Sequence, residues 1–196
     1  MDISPEQQRF FKMACYFEAS LVLVAIVLGA IAEINPFEYL DFSESALFYG
    51  IFGALPLMVI FVALYQMQLT GIQNIQKLLA ESLASKLYNH HWTDLLVLGM
   101  IAGIGEELLF RGVIQPWLES SWGMMAGLLV SNIIFGLVHA ITPLYFALAM
   151  LCGLYLGLSL DYDGQRNVLT PILIHGCYDF FAFVLIMRQY RTTLPQ

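Results

Sequence analysis

Glu106, Glu107 and Arg111 stand inside the apolar stretch GEELLFRG, residues 105–112. A charged side chain at the centre of a bilayer costs about 2.5–3.5 kcal/mol. Three of them in one apolar helix must therefore pair, face the protein interior or touch water. Glu107 and Arg111 are four residues apart with the acid first, a spacing that puts both on one helix face and lets them pair. Gln115, one turn on, extends that face. Glu106 lies about 100° round the helix and cannot share the guanidinium equally well. The cluster divides into one carboxylate with a local partner and one without. The second is free to act as a base or acid, against the competing reading of a buried packing network with no chemistry.

Two further apolar stretches carry groups suited to the same task. FGLVH places Phe135 and His139 one turn apart, with Asn132 a turn further back on the same face. HGCYD places His175 and Asp179 four residues apart, where the acid can accept from one ring nitrogen and set the imidazole tautomer. A single histidine on an apolar helix is more often a satisfied core residue. A glutamate, a histidine and a His–Asp pair on three such helices are what a buried acid/base site requires.

The elements that must position these residues follow from composition. The 196-residue chain is 59% hydrophobic and only 12% charged, about half the charged share of a soluble domain. Its apolar residues recur in blocks of about 20, the length that crosses a bilayer core. The expectation is an all-α, polytopic transmembrane helix bundle forming one membrane-embedded domain over residues 1–196. Six spans are expected, near 15–34, 47–67, 94–117, 123–141, 143–160 and 168–187. The net charge of −7 argues against nucleic acid as a partner, leaving the lipid bilayer and a protein or peptide.

Arg9 and Lys12 precede the first span, Lys77 and Lys86 lie in the loop at 68–93, and Arg188 and Arg191 follow the last span. The remaining loops hold only Arg166, beside acids such as Glu38, Asp41, Glu44, Asp161 and Asp163. The excess of positive charge on cytoplasmic loops thus predicts both termini and the 68–93 loop in the cytoplasm. The first span also resembles a signal peptide, with Ala30-Ile31-Ala32 at its end. Retention is the preferred reading, because five further spans follow.

Between Gly71 and His91, the residues Ile72, Ile75, Leu79, Leu83 and Leu87 recur at helical spacing. That stripe predicts an amphipathic interfacial helix on the cytoplasmic surface, or equally a connector helix packed on the bundle. Cys15, Cys152 and Cys177 lie in apolar blocks and read as small buried hydrophobes. The pairs Gly99/Gly103, Gly123/Gly127 and Gly153/Gly157 suit close helix packing.

The series Glu106-Glu107-x-x-x-Arg111, Phe135-x-x-x-His139 and His175-x-x-x-Asp179 resembles the three signature motifs of the CPBP family. That family comprises the Rce1-type CAAX prenyl endopeptidases and the bacteriocin-processing, or abortive-infection, membrane proteins. Order and spacing agree over about residues 94–187, with one departure: the third motif often ends in Asn, where this chain has Asp179.

The resemblance implies a metal-independent intramembrane glutamate endopeptidase, and the short acidic chain without long loops points to a prokaryotic cytoplasmic membrane. Its substrate would be cleaved near the C-terminus or leader region of a membrane-associated protein or peptide. It further implies that Glu106 activates water with His139, that His175 and Asp179 stabilise the oxyanion, and that Glu107 and Arg111 form a structural pair. As a hydrogen-bond donor to an oxyanion, Asp179 would have to be protonated; otherwise it orients His175.

Other readings stay open. Glu106, His139 and His175 form a two-His, one-carboxylate set suited to Zn²⁺ or another divalent metal, although no HExxH motif occurs. The same four residues could relay protons in a transporter, or the chain could be a non-catalytic scaffold or immunity protein of the same fold. Serine chemistry lacks a GxSxG elbow. One difficulty stands out: on the expected spans His139 falls near the cytoplasmic end, while Glu106 and His175 fall beyond the middle.

Overall fold

A computed structural model describes residues 3–162 and 164–194; Asp163, one of the acids counted in the loop charge, lies outside the described residues. Among them the chain is helical, without strands. We number seven continuous helices: α1 (Pro5–Ala32), α2 (Glu44–Gln66), α3 (70–87), α4 (92–122), α5 (Met124–Val138), α6 (Pro143–Ser159) and α7 (Leu169–Thr193). Helices α3 and α4 each contain a π-helical turn, at Ala80–Ala84 and Phe110–Ile114.

Local signals account for the ends. Ser4 and Gln7 form a reciprocal capping box at the start of α1. Thr142 caps α6 through the Tyr145 N–H, with Pro143 in the first turn. Gly123, at φ 86°, ends α4 and starts α5, so a single residue reverses the chain.

α1, α2 and α7 are long and apolar enough to cross a membrane, while α5 and α6 are shorter apolar helices. The protein is an integral membrane protein. At about 1.5 Å per residue, the 15 residues of α5 fall short of a hydrocarbon core of about 30 Å.

The central packing is α4 against α7, with α1 flanking α4, α2 flanking α7, and an α5–α6 hairpin beside the far half of α4. Small residues permit the central crossing. A Cβ on Gly103 would lie 2.8 Å from the Ile172 carbonyl and 2.9 Å from the Gly176 nitrogen. Backbones thus meet directly at this level, one turn from Glu106 and Glu107 on α4 and next to His175 on α7. The α3 stripe turns inward: Ile72, Ile75 and Leu87 are buried, and Leu87 shares a core cluster with Leu95, Leu98, Ile186 and Met187. This is the geometry of a connector packed on the bundle.

Candidate active site

Glu107 is fully buried and Arg111 nearly so. Arg111 Nη1 donates to Glu107 Oε1 at 3.2 Å, and its Nε lies 3.1 Å from Oε2. Its Nη2 donates to Asn132 Oδ1 at 2.8 Å and to the Gly153 carbonyl at 2.5 Å. The guanidinium also sits over the Phe135 ring, 4.8 Å from its centre. One cation thereby ties α4 to α5 and α6. Gly153 makes room for it: a Cβ there would lie 2.6 Å from Asn132 Oδ1 and 3.3 Å from Arg111 Nη2. The π-helical turn that contains Arg111 adds a residue to this stretch of α4, a feature often found at functional sites.

The opposite side of the same carboxylate meets α7. His175 Nδ1 lies 2.8 Å from Glu107 Oε1 and donates to it. Glu107 therefore accepts from both Arg111 and His175, and the spacing of the motifs revealed only the first of these. With Nδ1 committed, His175 turns Nε2 towards Asp179, whose Oδ2 is 3.6 Å away.

Glu106 faces the other way. Its Oε2 lies 3.5 Å from His139 Nε2 and makes no hydrogen bond. His139 Nδ1 lies 2.8 Å from the Phe135 carbonyl. A carbonyl only accepts, so Nδ1 carries the hydrogen. Nε2 is then left to exchange a proton with Glu106. The His139 ring stacks on Phe135 at 4.5 Å between centres, and Phe135 meets His175 edge-on at 6.2 Å. Phe135 thus separates and orients the two imidazoles.

The difficulty over depth is resolved by the end of α4. The third span was expected to stop near residue 117, but the helix runs on to Trp122 and reverses at Gly123. Glu106 lies 17 residues before Gly123 and His139 lies 16 after it. Two antiparallel helices with equal rise from one turn bring these residues to the same level.

Glu106, His139, His175 and Asp179 all line one apolar cavity of about 640 Å³. It reaches from these groups to Ile72, Ile75 and Leu79 of α3. Sequence reasoning missed Glu18, which also lines it; an acid inside the first apolar span was the available signal. Tyr65, Gln76, Tyr145, Cys152, Tyr155 and Tyr178 complete the polar lining and carry no comparable signal.

Residues from all three motifs thus meet at one apolar cavity within a membrane helix bundle. Residues 88–181, just under half the chain, match the family described as Type II CAAX prenyl endopeptidase Rce1-like, a match that supports the resemblance to the CPBP family. No curated protein and no solved structure matches the chain. The family supports an intramembrane protease acting on a peptide in a membrane context.

Proposed function

We propose that the protein is a glutamate-type intramembrane endopeptidase in which Glu106 activates the attacking water. The observation that carries this is the approach of the Glu106 carboxylate to His139 Nε2 at 3.5 Å on the wall of an apolar cavity. Peptide hydrolysis needs a base for water, a proton donor for the leaving amine and a donor to the developing oxyanion. Glu106 takes the water proton, and His139, its Nδ1–H held by the Phe135 carbonyl, passes a proton on through Nε2. His175 and Asp179, on the facing helix, stabilise the oxyanion, with a proton carried between Nε2 and Oδ2. Glu107 and Arg111 hold α4, α5, α6 and His175 in register and do not touch the reacting atoms.

The metal reading draws on Glu106, His139 and His175. Among the described residues no three His, Cys, Asp or Glu side chains converge as a metal-holding group. The His175 Nδ1 is also engaged by Glu107. A histidine that donates from Nδ1 to a carboxylate keeps Nε2 for a metal or a proton alike. A cytoplasmic membrane location with both termini inside agrees with the loop charges.

The deciding experiment compares wild type with Glu106→Gln, purified and assayed on co-expressed candidate substrates with and without chelator. Cleavage by wild type alone, indifferent to chelator, is expected. Full activity in Glu106→Gln would remove Glu106 as the base. Chelator-dependent loss restored by Zn²⁺ would favour the metal reading.

A further inference from the structure

The cavity wall has a charge pattern that water activation does not require. Its acidic residues are Glu18 from α1, Glu106 from α4 and Asp179 from α7; its histidines are His139 and His175. Among the described residues no lysine or arginine lines it, and Arg111, close behind, is committed to Glu107, Asn132 and Gly153. With both imidazoles protonated and the three acids ionised, the wall still carries one negative charge. Glu18 is the acid without a role in the proposed chemistry. Its Oε2 is buried and has no hydrogen-bond partner. Its backbone packs against Gly105, beside Glu106: a Cβ on Gly105 would collide with the Glu18 carbonyl. Apart from Gln76, Cys152 and the tyrosine hydroxyls the rest of the wall is apolar, so Glu18 brings a carboxylate with one unpartnered oxygen to a greasy cavity, its backbone against the residue that precedes Glu106.

Building on the endopeptidase reading, we propose that Glu18 is a specificity-determining residue. It accepts the cationic side chain of a substrate whose segment is otherwise apolar, placing a lysine or arginine beside the bond to be cut. A buried acceptor left unpaired penalises a substrate that lacks the donor. A second acid at that position would meet like charge and be rejected. The same pattern disfavours a substrate with a free C-terminal carboxylate close to the scissile bond, as a Cys-aliphatic-aliphatic-X tail presents, because the wall offers that carboxylate no cation. The substrate class is therefore an internal or leader segment, apolar with one basic residue.

The test uses quenched-fluorescent peptides of one apolar sequence, with Lys, Gln or Glu at a position flanking the cut, and the full-length protein in vesicles. Wild type is expected to favour Lys over Gln by about tenfold or more in kcat/KM, as a charge-assisted hydrogen bond implies. The Lys/Gln ratio should collapse in Glu18→Gln and return in Glu18→Asp, which separates recognition from misfolding. A ratio near one in wild type, or an unchanged ratio in Glu18→Gln, would overturn the proposal. So would faster cleavage of a peptide with a free carboxylate three residues beyond the cut than of its C-terminal amide. Binding of the Lys, Gln and Glu peptides to Glu106→Gln protein, read by fluorescence anisotropy, reports selectivity without turnover. Tighter Lys binding that vanishes when Glu18→Gln is added supports the inference even if cleavage sinks the endopeptidase reading, and equal binding overturns it.

Discussion

His175 on α7 donates from Nδ1 to Glu107 on α4 at 2.8 Å, and the same Glu107 oxygen accepts from Arg111 Nη1 at 3.2 Å. The structural ion pair and the third motif are therefore one network. A change at Glu107 is a change to the orientation of His175, although Glu107 does not line the cavity.

Glu107→Ala leaves Arg111 buried and uncompensated, and breaking a buried pair in this way costs about 3–5 kcal/mol. We expect a large fall in thermal stability in detergent. Arg111→Lys should also destabilise, because a point charge cannot reach Glu107, Asn132 and the Gly153 carbonyl together. An unfolding temperature equal to wild type in both variants would show that the network does not hold the bundle.

His139 caps the end of a short helix and is about one-third exposed on its side chain, so its replacement spares the core. His139→Gln should lower kcat by about 10²–10⁴-fold, the usual contribution of a positioned acid–base group. The unfolding temperature should stay close to that of wild type. A collapse of stability alongside activity would mark His139 as structural.

Gly103→Val puts a branched side chain where the α4 and α7 backbones meet, 2.8–2.9 Å from backbone atoms of Ile172 and Gly176. Overpacking of this kind costs about 1–3 kcal/mol. It also spreads the helices that carry Glu106, Glu107 and His175. Both unfolding temperature and cleavage rate are expected to fall. Wild-type values in both would show that the close crossing is dispensable.

Incubation with a strong chelator should leave cleavage unchanged, because the proposed chemistry draws only on side chains. The measurement is the initial rate before and after chelation, with Zn²⁺ added back. Loss and recovery would transfer the water-activating role to a metal held by Glu106, His139 and His175.

Much of the site was legible in residue types and spacing. Glu107 and Arg111 are four apart, and they pair as that spacing requires. Phe135 and His139, at the same spacing, stack. What spacing could not show was any partner on another helix. Asn132 shares a face with Phe135 and His139, but that it accepts from Arg111 depends on how closely α5 approaches α4. Residues 118–122 fall between the third and fourth expected spans, whereas the helix continues through them to Gly123 and so sets the level of His139. The stripe on α3 was legible as amphipathic, yet hydropathy alone does not distinguish a lipid surface from a protein surface.

The sequence by itself determined an all-helical membrane protein and the pairing of Glu107 with Arg111, and it marked Glu106, His139, His175 and Asp179 as candidates for acid/base chemistry. These are properties of composition and of contacts within a single helix, where 3.6 residues per turn set the geometry. Only the tertiary structure decided that Glu107 also serves His175, that Glu106 meets His139 across two antiparallel helices, and that Glu18 faces the same cavity. Those relationships depend on how far α4 runs before it reverses and on how closely glycines let backbones approach. Both are set by packing between helices, which no local periodicity encodes.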